Sequence, residues 1–532
     1  MSDNRLRVFI YYPLILALVL AGGVFLGAKL NTGFAPGIMM ESSIGNSKKI
    51  SNLLNYVEEE YVDSVDLDGL TEAAIIKMLD QLDPHSSYIP ARDLESTNDP
   101  LNGNFDGIGV EFNIINDTIV VVAPINGGPS EKLGIRSGDR IVTIEDSLIA
   151  GTGITNKDVI SLLRGERGTK VKVEIYRRGE KGLISFNIKR DKIPIYSVDA
   201  GYMVEDEIGY IKISRFGATT YDEFLEKLDK LRSAGMKSLI LDLRGNPGGY
   251  LNAAINICDE FLEDGKLIVY TEGRARPKDS AFATGNGDFE KGNLVILVDE
   301  GSASASEIVS GAVQDNDRGT IIGRRTFGKG LVQEQVELTD GSAVRLTIAR
   351  YYTPTGRCIQ RPYGEDEDYY GDFYDRLENG ELYEADSMQV DEKRRFTTPK
   401  GKVVYGGGGI MPDVFVSVDT TGYTKFHSQL IRSGALREFS LNYSTANAKV
   451  IDAYKSAEAF KSNFNFSDAD FKELVEFAEK KDVYTEDAKE GKEDVFRNLK
   501  ALVARSKWNS EGFYPIINEG DKMIQSALDV LR

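Results

Sequence analysis

Histidine, cysteine and tryptophan are nearly absent from this chain: its 532 residues include two histidines (His85 and His427), two cysteines (Cys258 and Cys358) and one tryptophan. The thiols follow no CxxC or other metal-ligand spacing, which excludes a disulfide framework and a zinc ribbon. Cys258 lies in an apolar helical pattern over residues 253–261 and reads as a small buried hydrophobe. The histidines constrain more. A Ser-His-Asp site or a multi-histidine zinc site would have to draw on two residues far apart in sequence, and neither HExxH nor HxxEH occurs. His85 directly follows a helix-ending Asp83-Pro84 and has no potential ligands beside it, so it reads as a surface or capping residue. His427 falls in a charged helical stretch remote from any chemistry-bearing motif. Hydrolytic chemistry, if present, has to run without histidine, and neither a metal nor another cofactor is expected. Basic residues are also in deficit, 64 against 83 acidic for a net charge of −19, so nucleic acid is not an expected partner.

What the chain does have is ample apolar sequence, 41% against 28% charged, and a length that suggests three or four domains at roughly 150 residues each. Residues 8–28 form a run of 21 uncharged residues between Arg5, Arg7 and Lys29. At about 1.5 Å per residue this run can cross a hydrocarbon core of about 30 Å. A cleavable signal has an apolar stretch of only about 7–15 residues, and no Ala-x-Ala or lipid-accepting cysteine follows here. Residues 1–30 therefore read as an uncleaved single-pass anchor in the inner (cytoplasmic) membrane, with the remainder on the periplasmic, extracytoplasmic side. Apolar spacings of three and four mark residues 31–98 as a helical segment. Residues 99–193 read as short strands and turns with one helix at 155–163. Residues 194–421 alternate strand and helix, as in an α/β layered domain. Within them, residues 363–392 are acidic, tyrosine-rich and without periodicity, and read as a surface excursion. Residues 422–532 are charged and helical.

The segment 299–333, DEGSASASEIVSGAVQDNDRGTIIGRRTFGKGLVQ, carries the strongest chemical signal. An apolar strand runs into a turn of small residues and then a helix, which exposes backbone N–H groups to developing negative charge. Ser304 and Glu307 also have the S-x-x-E spacing of a capping box, which needs no chemistry. The second half of the segment adds a lysine, Lys329, between Gly328 and Gly330, where close backbone packing can direct its side chain inward. A lysine serves as base for a serine hydroxyl only when neutral, and its ordinary pKa of about 10.4 has to be lowered by several units through burial. Gln333, four residues on, shares the lysine's face in a strand or a helix and can orient the amine without adding charge. Residues 323–329 also fit most of GxxxxGK[ST]. Gly330, however, takes the hydroxyl position and a strand-like LVQEQVEL follows, which disfavours nucleotide binding. Upstream, LDLRGNPGGY at 241–250 is a strand ending in a glycine turn. It is either a plain βα loop or, through the Gly248 and Gly249 N–H groups with that of Ala305, an oxyanion site.

Taken together these segments resemble the carboxy-terminal processing peptidases, the tail-specific family of serine peptidases. The resemblance covers residues 50–421 and rests on YVDSVDLDGLTEAAIIKMLDQLDPHSSY, FDGIGVEF, LILDLRGNPGG, GSASASEI, RTFGKGLVQ, YYTPTGRCIQ and GGGGIMPD. It implies an α/β multidomain fold. A PDZ domain is inserted between an N-terminal helical segment and a crotonase/ClpP-like α/β serine protease core, followed here by a C-terminal helical extension that the resemblance does not reach. The family places its base 25 positions after the nucleophile, which selects Ser304 from Ser302, Ser304 and Ser306 as the partner of Lys329. Gln333 is then the third member, and Asp315 is either a supporting acid or a surface helix-end acid. Gly107, Ile108, Gly109 and Val110 match the loop with which a PDZ domain holds a C-terminal carboxylate on backbone N–H groups; without the family they are a glycine turn before a strand. Related proteases use this domain to recruit and to gate, so Arg164 is either a contact to the core or a solvated helix-end arginine. The implied activity is that of an envelope-anchored serine endopeptidase that engages protein substrates by their C-terminal tails and cleaves through a Ser304/Lys329 acyl-enzyme. A homo-oligomer or an activating adaptor protein would be a further partner. From another class, a non-catalytic PDZ adaptor or scaffold of the envelope is opposed by the intact Ser304, Lys329 and Gln333.

Overall fold

The computed structural model describes residues 41–364, 368–422 and 424–532. The uncharged run at 8–28 lies outside the described residues, and among these no helix is long and apolar enough to cross a membrane. The chain divides into two compact units, Met1–Met78 and Leu79–Arg532. In the first, the described residues form helix Glu41–Glu60 and most of helix Leu67–Asp80.

In the second unit, strands Val110–Ile114, Ile119–Pro124, Arg140–Ile144, Lys170–Tyr176 and Leu183–Lys189 follow one another in an antiparallel sheet. The period of two is plain in KVKVEIY, where Val171, Val173 and Ile175 are fully buried and the residues between them are not. Helix Asn156–Leu163 starts at a reciprocal Thr155/Asp158 cap and drops Val159 and Leu163 into the same core. A two-stranded neck, Asn104–Gly107 against Asp191–Pro194, carries the chain into and out of this domain.

The α/β domain is built on a six-stranded sheet in the order Val198–Glu205, Ile208–Ile213, Ser238–Asp242, Asn293–Val298, Thr320–Gly323, Val414–Phe415. Only the first pair is antiparallel. Parallel strands bury both faces and so read as continuous apolar runs, as SLILD and NLVILV do. Leu239, Leu241, Ile296 and Val298 pack with helices Thr220–Ser233, Leu251–Asp259 and Ala305–Asp315. On the other face Ile240, Val295, Leu297 and Ile322 pack with Met523, Ile524, Ala527 and Leu528 of the last helix, Lys522–Leu531. The end of the chain thus completes the three-layer sandwich. The preceding C-terminal helices enclose an aromatic core around Phe426, Phe439, Phe460 and Phe471. They also reach the small β domain: Leu441 clusters with Ile115, Val120 and Val122, and Arg505 pairs with Glu111 at 3.0 Å.

A second, antiparallel sheet carries the residues that follow Lys329. Strand Leu331–Glu337 forms a hairpin with Ala343–Tyr352, which also pairs with Ser87–Ile89 and Leu267–Glu272. Most described residues of the stretch 363–392 are exposed, as in a surface excursion, but the stretch is anchored. It contains helix Asp372–Glu378 and packs back on the loop before Lys329. The buried Arg376 donates to the Thr326 carbonyl at 2.9 Å, and Glu381 takes both arms of Arg325 at 2.5 and 2.6 Å. Two of its acids, Asp372 and Glu381, are taken up by arginines, while Asp375, Glu378, Glu384 and Asp386 face solvent.

Candidate active site

Ser304 stands at the start of helix Ala305–Asp315 with φ 54° and ψ −111°. An ordinary N-cap residue is extended, and a non-glycine residue in so sparsely populated a conformation costs about 1–3 kcal/mol unless its surroundings enforce it. Two buried groups enforce it here. Glu307, 0% exposed, accepts from Ser304 N and Lys329 N with Oε2, both at 2.8 Å, and from Gly328 N at 2.7 Å and Thr326 Oγ1 at 2.5 Å with Oε1. The Tyr351 hydroxyl lies 2.7 Å from the Lys329 carbonyl and 3.1 Å from the Ser304 carbonyl, so its single proton is shared unequally between them. The capping-box spacing of Ser304 and Glu307 therefore marks more than a cap: the same carboxylate carries the lysine turn. Burial pushes the Glu307 pKa up, and the four hydrogen bonds oppose it.

Ser304, Lys329 and Gln333 line one cavity of about 420 Å³, together with Gly248, Gly249 and Tyr351. Lys329 Nζ donates to Gln333 Oε1 at 3.0 Å, and Gln333 Nε2 donates to the His85 carbonyl at 2.7 Å. The second bond fixes which end of the amide faces the lysine. Burial lowers the Lys329 pKa and Arg345 pushes the same way, against Asp83 and Glu307. Gly330 is needed for close packing, since a Cβ there would stand 2.8 Å from the Gln360 backbone nitrogen. A strand, not a helix, follows Lys329, which removes the phosphate-loop geometry.

The three expected oxyanion donors differ. Gly248 packs its Cα against the Ser304 turn, where a Cβ would lie 2.7 Å from Ser304 Cβ, and its N–H already donates to Asn246 Oδ1 at 2.9 Å. The Gly249 and Ala305 N–H groups have no protein acceptor among the described residues. Asn246, which occupies the Gly248 N–H, was visible in the sequence only as part of a turn.

His85 is not the surface or capping residue its position suggested. It is half-buried, its Nε2 lies 2.6 Å from the Tyr369 hydroxyl, and burial and Lys329 push its pKa down to about 4. Its contribution to the site is a backbone carbonyl, which no side-chain pattern announces. His427 is buried among the C-terminal helices, 3.3 Å from Asn498. Asp315 is neither at the cavity nor at the surface: it is fully buried and pairs with the equally buried Arg357 at 2.7 Å. Cys258 is fully buried, as its pattern indicated.

In the β domain, Gly109 takes φ 72°, and the Ile108 and Gly109 N–H groups have no protein acceptor among the described residues. Gly107 ends the neck strand, and Val110 begins the strand at the sheet's edge. Arg164 pairs with buried Asp99 and stacks 4.4 Å over the Phe105 ring. Asp99 belongs to helix Ala91–Asn102, whose Asn98, Leu101 and Asn102 line the Ser304 cavity.

Comparison with known proteins identifies the families of three segments. Residues 207–370 match peptidase family S41, residues 107–189 match the PDZ domain, and residues 426–509 match a family of unknown function (DUF8443). The chain is 36% identical over 323 residues to the carboxy-terminal processing protease CtpA of Bacillus subtilis, covering 60% of this chain and 68% of that protein. It is 38% identical over 346 residues to the carboxy-terminal-processing protease of Bartonella bacilliformis, covering 64% and 78%. Among solved structures, the photosystem II D1 C-terminal processing protease is 28% identical and aligns over 69% of this chain and 86% of that one, with a TM-score of 0.37. The chain belongs to the carboxy-terminal processing proteases of peptidase family S41, as a serine-type peptidase with a PDZ domain preceding its catalytic domain.

Proposed function

We propose that Ser304 is the nucleophile of this peptidase and Lys329 its base, with Gln333 orienting the amine. The observation that carries the reading is the single cavity holding all three, with the amine in an environment that lowers its pKa. Neutral Lys329 retains two N–H bonds, one of them given to Gln333 Oε1, and a lone pair to take the Ser304 proton as Oγ attacks the substrate carbonyl. The Gly249 and Ala305 N–H groups receive the oxyanion. Protonated Lys329 then returns the proton to the leaving amine, and water, deprotonated in the same way, releases the acyl group and restores Ser304. Substrates enter by their C-termini: the Ile108 and Gly109 N–H groups hold the terminal carboxylate, and the peptide adds to the edge strand that Val110 begins. The uncharged run at 8–28 tethers the enzyme to the membrane, with the protease on the extracytoplasmic side. Cleavage of an unfolded protein with a free C-terminal tail is the test. Ser304→Ala and Lys329→Ala should each abolish it, and substantial activity in either refutes the assignment.

A further inference from the structure

The turn Asp83–Ser86 stands beside the base without a role in the steps above. Asp83 is 7% exposed, and its carboxylate is filled by the turn itself. Oδ1 accepts from His85 N at 2.9 Å, Ser86 N at 2.8 Å and Thr347 Oγ1 at 3.1 Å, while Oδ2 accepts from Ser86 Oγ at 2.6 Å. Thr347 N donates to Ser86 Oγ at 3.1 Å, so the turn is pinned to strand Ala343–Tyr352 at two points. From the opposite side Tyr369 holds the His85 ring, and the Tyr370 hydroxyl donates to the Pro84 carbonyl at 3.0 Å. This framework presents the His85 carbonyl to Gln333 Nε2.

An amide is nearly symmetric in shape, and only its partners decide which end is oxygen. With Nε2 held by His85 O, Gln333 can offer Lys329 only its oxygen. Without that anchor the amide can turn its NH2 toward the amine, donor against donor. We propose that Asp83 is the positioning residue of the base: it builds the turn that sets the His85 carbonyl, which locks Gln333 with its oxygen toward Lys329. The inference rests on the reading of Lys329 as base.

Asp83 also acts on Lys329 through its charge. The groups that face the amine are Asp83 and Glu307, which favour its protonated form, and Arg345, which opposes it. His85 is neutral at working pH and does not enter. Asp83→Asn keeps an oxygen where Oδ1 accepts three bonds and removes the charge; Asp83→Ala removes the turn. In the full-length protein, acting on a tailed unfolded substrate, Asp83→Asn should keep the plateau kcat within about twofold and move the acidic limb of the pH–kcat profile to lower pH. Asp83→Ala should lose at least about tenfold in kcat with little change in KM, a part of the 10²–10⁴ a positioned base supplies. An Asp83→Ala enzyme with wild-type kcat, or an Asp83→Asn profile that does not move, overturns the proposal. Where Asp83→Ala does not fold, Ser86→Ala, which removes the Oγ bonds to Asp83 and from Thr347 and leaves the Asp83 charge, takes its place: kcat should fall with KM kept, and a wild-type kcat overturns the proposal. Cleavage retained by Lys329→Ala sinks the reading of the base itself, whereas a dead Lys329→Ala beside silent Asp83 variants sinks only this inference.

Discussion

Glu307→Gln probes how the Ser304 and Lys329 turns are held together, because Oε2 of Glu307 accepts from both turns, Oε1 accepts from Thr326 and Gly328, and a glutamine keeps only one oxygen. If the amide nitrogen takes the place of Oε2, it faces the N–H groups of Ser304 and Lys329, two buried donors left without acceptors. At about 1–3 kcal/mol for each orphaned group, that orientation costs about 2–6 kcal/mol. If the nitrogen takes the place of Oε1, it faces Gly328 N and the Thr326 hydroxyl. The hydroxyl, which also accepts from Ile410 N at 2.7 Å, can rotate to accept the amide as well, so Gly328 N–H is the one stranded backbone donor, at about 1–3 kcal/mol. The second orientation wins, and it leaves the bonds to Ser304 N and Lys329 N intact. Glu307→Gln should therefore fold with a loss of about 1–3 kcal/mol and retain measurable cleavage. Glu307→Ala strands three backbone donors and opens a void, for a loss of roughly 4 kcal/mol or more and no cleavage. Pulse proteolysis across a urea series gives the stabilities and cleavage of a tailed substrate gives the rates. Equal losses for the two variants, or an active Glu307→Ala enzyme, would refute the bracing argument.

The pH dependence follows from Lys329. Its burial and Arg345 lower its pKa, so kcat should rise as pH increases through a value below the ordinary lysine range. Arg345→Gln should carry that limb to higher pH, and an unmoved limb with chemistry rate-limiting counts against the assignment. Asp315→Ala leaves Arg357 buried and unpaired and should cost about 3–5 kcal/mol of stability while folded protein keeps its kcat; lost kcat at unchanged stability would return Asp315 to the chemistry. Amidating the substrate's C-terminus should raise KM and leave kcat nearly unchanged, and equal KM values would remove the Gly107 to Val110 loop from recognition. Leu528→Asp places a charge against the apolar sheet face and should yield insoluble protein, whereas a soluble, active variant would contradict the packing of the last helix.

The sheet was legible because its strands are buried on both faces, leaving apolar runs no other element imitates at that length. Lys329 and Gln333 were legible because a lysine between glycines and a residue four places on are local patterns. Ser304 needed the family spacing, since its two neighbouring serines have the same local chemistry. What escaped was the support. The Glu307 bonds to Gly328 and Lys329 span about twenty residues, the Tyr351 bonds span 47 and 22, and the Gln333 bond to His85 spans 248. In each pair at least one partner is a backbone group. A backbone donor or acceptor is carried by every residue type, so nothing in the sequence marks the position where one is used.

In the excursion at 363–392 the side chains were conspicuous and the partners that anchor it were not. Acid and tyrosine without periodicity describe a solvated loop only when the counter-charges are absent. For Asp372 and Glu381 they come from Arg361 and Arg325 of the protease core and from Arg376 of the segment itself. Asp372 pairs with Arg361 at 2.5 Å and with Arg376 at 2.8 Å, and Glu381 pairs with Arg325. Arg361 lies 4.0 Å from the Phe327 ring centroid and 3.9 Å from that of Tyr369. Phe327 and Tyr369 thereby pack beside the lysine turn, and Tyr369 reaches on to His85. The lysine turn is thus backed partly by an acidic-looking segment of the chain, and on the reading of Lys329 as base that backing would help keep water from the amine. Truncating that segment should move Lys329 toward its ordinary pKa and the acidic limb of kcat upward, and an unchanged limb would show that the cavity wall alone keeps water from the amine.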